Sequence, residues 1–271
     1  MNEAQTNAEV EQVPSLGRAD EFARISRELL TEPGPQLTLE RIVALAVETV
    51  PACESCGVSF RHSDGTIETP ASTSAVVDKA DALQYEFGEG PCLEAIWSTD
   101  LLVIGDLDAD RRWPRWARAA AKLGISSVLS VRISTPAVTF GGLNLYATEP
   151  HAFDSTDEGV ASIFARHAAD ALTSAEELAG LRTALRSRQV IGVAQGILMQ
   201  RFELSLDQAF EVLRRYSQNQ NIKLRDLAEQ LVRAGSISPG QTALLEAVED
   251  PTRSGSDRGR DRSAFRAGTP G

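Results

Sequence analysis

Cys53-Glu-Ser-Cys56 sets two thiols at the spacing that zinc sites and redox pairs use. A zinc site needs a second pair, and Cys92 is the only other cysteine in the chain. The nearest imidazole in sequence is His62, and His151 and His167 stand at no metal-ligand spacing from each other. A redox switch between Cys53 and Cys56 competes with the plainer reading of two small residues beside a buried strand. Gly88-Glu-Gly90 is followed by Pro91, so it is not a dinucleotide loop. No motif supports Ser-His-Asp catalysis, and Asp64, Asp106 and Asp108 read as turn residues. Trp113 and Trp116, three apart, read as core rather than as base-stacking platforms. Neither a metal nor a cofactor is expected, and no enzyme.

The remaining chemistry lies in cations threaded along apolar stripes. Residues 176 to 234 hold nine Arg or Lys against seven acids. That balance of +2 sits within a chain of net charge −11, which leaves −13 for the rest. Such a chain is no general nucleic-acid sponge. Its basic part is a small helical module, a pattern of binders rather than of enzymes.

Three helices must position those cations. Leu178, Leu181 and Leu185 fall on one face, and Val190, Ala194, Ile197 and Leu198 continue the stripe on a rotated one. Ser205 and Gln208 form a capping box for a second helix carrying Ala209, Phe210, Val212, Leu213 and Tyr216. The polar run 217–221 breaks the period. Leu224, Leu227, Ala228, Leu231 and Val232 make a third helix, and Gly235 is a stop signal. A module of about 55 residues is marginal alone. The module leans on a neighbour, and the long first helix, whose leucine stripe has no obvious mate in so short a module, suggests a partner chain.

Upstream, Glu21–Leu30 and Leu37–Val50 read as helices, Cys56–Phe60 and Thr66–Thr69 as strands around an Asp64-Gly65 turn. Val76–Tyr85 is a helix, and Gly88–Cys92 a turn into a short one. Leu101–Ile104 is a strand and Arg112–Leu123 a helix. Val128–Ile133 and Gly142–Tyr146 read as an antiparallel strand pair. Ser155 with Glu158 opens a helix that shows no clear break before Phe202. That is a rod of about 45 residues, roughly 70 Å long, although Ser174 and Glu177 could cap a second helix. The fold class is α+β, with an antiparallel sheet flanked by helices, a long helix and a three-helix output.

The segment Ala194-Gln195-Gly196-Ile197-Leu198-Met199, with Ala209-Phe210, Leu213-Arg214-Arg215, Ser217, Asn221, Lys223-Leu224 and Leu227-Ala228, resembles an ANTAR domain. That family is the RNA-binding output of transcription antitermination regulators. The family often carries Lys where this chain has Gln195, which keeps the reach but drops a phosphate-attracting charge. Gly88–Glu94, Asp106-Leu107, Arg112-Trp113-Pro114, Gly124-Ile125, Ser130, Gly142–Tyr146, Phe153 and Ala161–Ala171 are similar to a GAF domain, a sensor module found upstream of ANTAR domains.

The resemblances divide the chain into a disordered start (1–18), a GAF-like sensor (19–173), an ANTAR-like module (174–234) and a mostly disordered tail (235–271). The tail from Pro251 carries five Arg against two Asp, an accessory RNA contact or an inert end. By the family match, Gln195, Met199, Arg201, Arg214, Arg215, Ser217, Asn221 and Lys223 face RNA, with Met199 also fitting a core role. Leu178, Leu181 and Leu185 would pair two copies into a homodimer. The implied partner is RNA stem-loops in a nascent transcript, and no ligand is named for the GAF-like domain. The competing reading is a protein-interaction module whose helices serve dimerisation alone. The polar N-terminus shows no signal peptide, and no apolar run reaches the ~18 residues of a membrane helix. Few cysteines fit a reducing cytoplasm.

Overall fold

A computed structural model describes residues 6–62 and 64–234. The chain forms two compact units, one ending at Gly180 and the other beginning at Leu181. The tail from residue 235, including the Gly235 stop, lies outside the described residues.

The first unit is built on five antiparallel strands: β1 (Ser55–Arg61), β2 (Ile67–Ser72), β3 (Leu101–Ile104), β4 (Ser127–Ser134) and β5 (Thr139–Ala147), in the order β2-β1-β5-β4-β3. The expected pair of strands is β4 and β5, with Val128 opposite Tyr146 and Val131 opposite Leu143. Strand side chains alternate between faces. One face presents Cys56, Val58, Leu129, Val131, Ile133, Leu143 and Leu145, and helices α1 (Thr6–Thr31), α2 (Pro35–Thr49) and the start of α6 (Ser155–Phe202) cover it. Alanines at 161, 165, 168 and 169 line the buried side of α6 around Phe164. Burying a Phe fully contributes about 2–3 kcal/mol.

The opposite face is covered by α3 (Ala75–Phe87), α4 (Pro91–Trp97) and α5 (Pro114–Ala121), through Val77, Ala80, Trp116 and Ala120 against Ile104, Val128 and Tyr146. Trp113 and Trp116 are therefore core, as their spacing implies. Gly57 on β1 lets α3 come this close, since a Cβ there would lie 2.5 Å from Val77 Cγ1 and 3.0 Å from Asp81 Oδ2.

Three expectations need correction. Helix α1 begins at Thr6, where the sequence reading has disorder up to residue 18. Ala8, Glu9, Glu11 and Gln12 favour helix there even without an apolar stripe. Second, the cap of α6 is Asp154, not Ser155. Asp154 Oδ1 accepts from the amides of Thr156 (2.7 Å) and Asp157 (2.9 Å), and Asp157 Oδ2 accepts from the Asp154 amide (3.0 Å). A carboxylate answers the positive end of a helix better than a hydroxyl does. Third, Ser174 caps nothing, because α6 is one helix of 48 residues.

The second unit holds the end of α6, then α7 (Leu206–Gln220) and α8 (Leu224–Ala234). Ala194, Leu198, Ala209, Val212, Leu213, Tyr216, Leu227, Ala228 and Leu231 form its core. The capping box is present: Ser205 Oγ accepts from the Gln208 amide, and Gln208 Oε1 accepts from the Ser205 amide at 2.8 Å.

Candidate nucleic-acid interface

The residues that the family match assigns to RNA lie along α7 and at both of its ends. At the start, half-buried Gln195 donates from Nε2 to the Leu206 carbonyl (3.2 Å), tying α6 to α7. Met199 is half-buried against the core, as its alternative reading has it. Arg201 is exposed, its guanidinium 5.9 Å from the Phe202 ring. Midway, Arg214 is exposed and bonds Glu211 through two nitrogens, Nε at 3.1 Å and Nη2 at 2.7 Å. That bond holds the Glu211 carboxyl below its ordinary range. Arg215 is half-buried.

At the far end, the Ser217 hydroxyl donates to the Ile222 carbonyl (2.6 Å). Asn221 ends α7 in the left-handed conformation (φ 53°), which Asn tolerates better than most residues. Lys223 follows, exposed, just before α8. This turn brings Ser217, Asn221 and Lys223 together. Gln195 lies a full helix away, about 22 Å along the 15 residues of α7. The set is a strip, not a single pocket. Its exposed cations are Arg201, Arg214 and Lys223. Gln195, Ser217 and Asn221 also shape the module.

Leu178, Leu181 and Leu185 are 46%, 62% and 65% exposed.

The first unit contains a cluster that sequence reasoning missed. Asp81 of α3 is wholly buried against the polar positions of the sheet. Its Oδ1 accepts from Asn144 Nδ2 (3.2 Å), Gln84 Nε2 (3.3 Å) and the Tyr146 hydroxyl, and its Oδ2 from Thr69 Oγ1 (3.0 Å). Asn144 also donates to Ser59 Oγ (2.9 Å) and accepts from Ser130 Oγ (3.0 Å). Burial lifts the Asp81 carboxyl to about 6, against the hydrogen bonds that favour its ionised form. Burial likewise pushes the Cys92 thiol up to about 12, with the Asp81 charge adding to it, and holds the Cys56 thiol well above its ordinary range. Reactive cysteines are thiolates, so neither thiol is activated. The signal was present in the alternation of Ser59, Ser130 and Asn144 with apolar neighbours.

A five-stranded sheet covered by helices on both faces is thus followed by a small helical module that begins within the continuous helix α6. A GAF-domain model matches residues 34–173, and an ANTAR-domain model matches residues 179–232. The chain belongs to the GAF- and ANTAR-domain proteins. No curated protein matches it.

Solved structures similar to it include a domain of a two-component sensor histidine kinase protein from Sinorhizobium meliloti, at 17% identity and TM-score 0.44, covering 53% of this chain and 96% of that one. The GAF domain of an Acinetobacter phosphoenolpyruvate-protein phosphotransferase is 13% identical at TM-score 0.46, covering 59% and 95%. A free methionine-R-sulfoxide reductase from Neisseria meningitidis is 16% identical at TM-score 0.47, covering 57% and 87%. Among the described residues no helix is long and apolar enough to cross a membrane.

Proposed function

We propose that the protein is a dimeric antitermination regulator that binds paired stem-loops in nascent RNA and so keeps the overlapping terminator from forming. The ANTAR-domain match over residues 179–232 carries this reading. The folded three-helix module with exposed Arg201, Arg214 and Lys223 supports it. Proteins read RNA sequence mainly in loops, where bases can be splayed and stacked. Arg and Lys supply the salt-sensitive attraction to phosphate.

Two modules joined in a homodimer through Leu178, Leu181 and Leu185 gain from effective concentration when two hairpins are correctly spaced. Signals reaching the GAF domain act by changing the population of the RNA-competent dimer, within the limit of their differential affinity for the two states. Action on nascent RNA places the protein in the cytoplasm. Electrophoretic shifts with a two-hairpin RNA and an unrelated duplex test the reading. Selective, salt-weakened binding of the hairpins is expected, and equal weak binding of both RNAs would leave a protein-interaction module instead.

A further inference from the structure

At the end of the sheet where β1 finishes and β5 begins, a pocket of about 500 Å³ opens beside α6. Its walls include Phe60 and Arg61 at the end of β1, His62 just beyond it, Thr139 and Phe140 at the start of β5, and Glu176 of α6. The two Phe rings stand 6.3 Å apart and give it an apolar side. His62 is committed, its Nε2 2.8 Å from Glu68 Oε1.

Arg61 and Glu176 are not committed. Among the described residues neither side chain makes an ion pair or a hydrogen bond, and Arg61 Nε is buried without a partner. The Arg61 guanidinium lies over the Trp97 ring, 4.2 Å from its centroid. A stacked guanidinium keeps its N–H donors in its own plane, in the fork that fits a carboxylate. Glu176 is an acceptor on the same pocket, yet it does not reach Arg61 to form an ion pair. A simple anion would satisfy Arg61 and be repelled by Glu176. A ligand carrying both charges would satisfy both groups. The volume lies in the range that holds small molecules.

We propose that this pocket binds a small zwitterion, an α-amino acid with an apolar side chain. Its carboxylate would sit on Arg61, its ammonium on Glu176, and its side chain along Phe60 and Phe140. Bound there, it would link the end of the sheet to α6.

Calorimetric titration of the full chain tests this, with L-phenylalanine, L-leucine and L-methionine as probes. The controls are 3-phenylpropionate and 2-phenylethylamine, which each lack one charge of phenylalanine. At least one amino acid is expected to bind. If phenylalanine binds, it should do so at least tenfold more tightly than either control. Arg61→Gln and Glu176→Gln should each weaken amino-acid binding at least tenfold, and Glu176→Gln lies on an exposed helix position where folding is not at risk. Absence of binding by all three amino acids would overturn the proposal. So would equal binding of a control, or unchanged binding in the Glu176→Gln protein.

Discussion

Replacing Asp81 by Asn removes one ionisable group and keeps its shape. The ordinary Asp value is 3.8, and burial lifts Asp81 to about 6. At about 1.4 kcal/mol per pH unit, the buried charge costs on the order of 3 kcal/mol above pH 6. Between pH 3.8 and 6 the folded chain holds a proton that the unfolded chain has lost. Stability conferred by this site is therefore greatest at the acidic end and falls as pH rises through the window.

From pH 7.5 down to pH 5 the site should return about 1.4 kcal/mol, the part of the cost recovered once the folded carboxyl is mostly protonated. The Asn variant stays neutral and gains none of it. Urea unfolding followed by tryptophan fluorescence measures this, because Trp97, Trp113 and Trp116 all lie in the sensor unit. Using the variant as reference cancels every other titrating group. Parallel stability of the two proteins from pH 5 to 7.5 would refute the reasoning, and so would a wild-type protein that gains on the variant as pH rises.

Loss of the α7 cap in Ser205→Ala should cost the output module about 1 kcal/mol, read as a lower midpoint of helix loss by circular dichroism. Gly57→Ala drives a Cβ against Val77, a β-branched residue on α3 with little freedom to turn aside. Overpacking of this kind costs about 1–3 kcal/mol, visible in the tryptophan unfolding curve. Leu181→Glu with Leu185→Glu alters only exposed positions, so each protomer should change by no more than about 0.5 kcal/mol. Light scattering should show the wild-type dimer become a monomer, whereas a monomeric wild type would remove the proposed role of the stripe.

Much of the architecture was legible because several strands alternate and most of the helices carry an apolar stripe. Val58, Leu143 and Leu145 announce a core face, and the capping box at Ser205 announces a helix start. The Asp81 cluster was not legible for the same reason. Ser59, Ser130 and Asn144 alternate with apolar residues, which is also the pattern of a strand with one wet face. Only the packing of α3 over that face, permitted by Gly57, shows that the positions are buried. At α6, Asp154 and Ser155 both suit a cap, and the charge that decides between them counts only once the helix exists. In the output module the family pattern marks Gln195, Ser217 and Asn221 alongside Arg201 and Lys223. Sequence does not reveal that the first three also hold backbone in place.

Affinity of the full chain for a two-hairpin RNA, measured against salt for wild type and for the Arg201→Ala, Lys223→Ala double variant, tests the central claim most directly. Both side chains are exposed, and neither lies in the core of the module. The account predicts a folded, dimeric variant that binds the RNA more weakly. If the lost contacts are to phosphate, its salt slope should be shallower by about 1 per contact. Unchanged affinity and an unchanged slope would contradict the assignment of this strip to RNA.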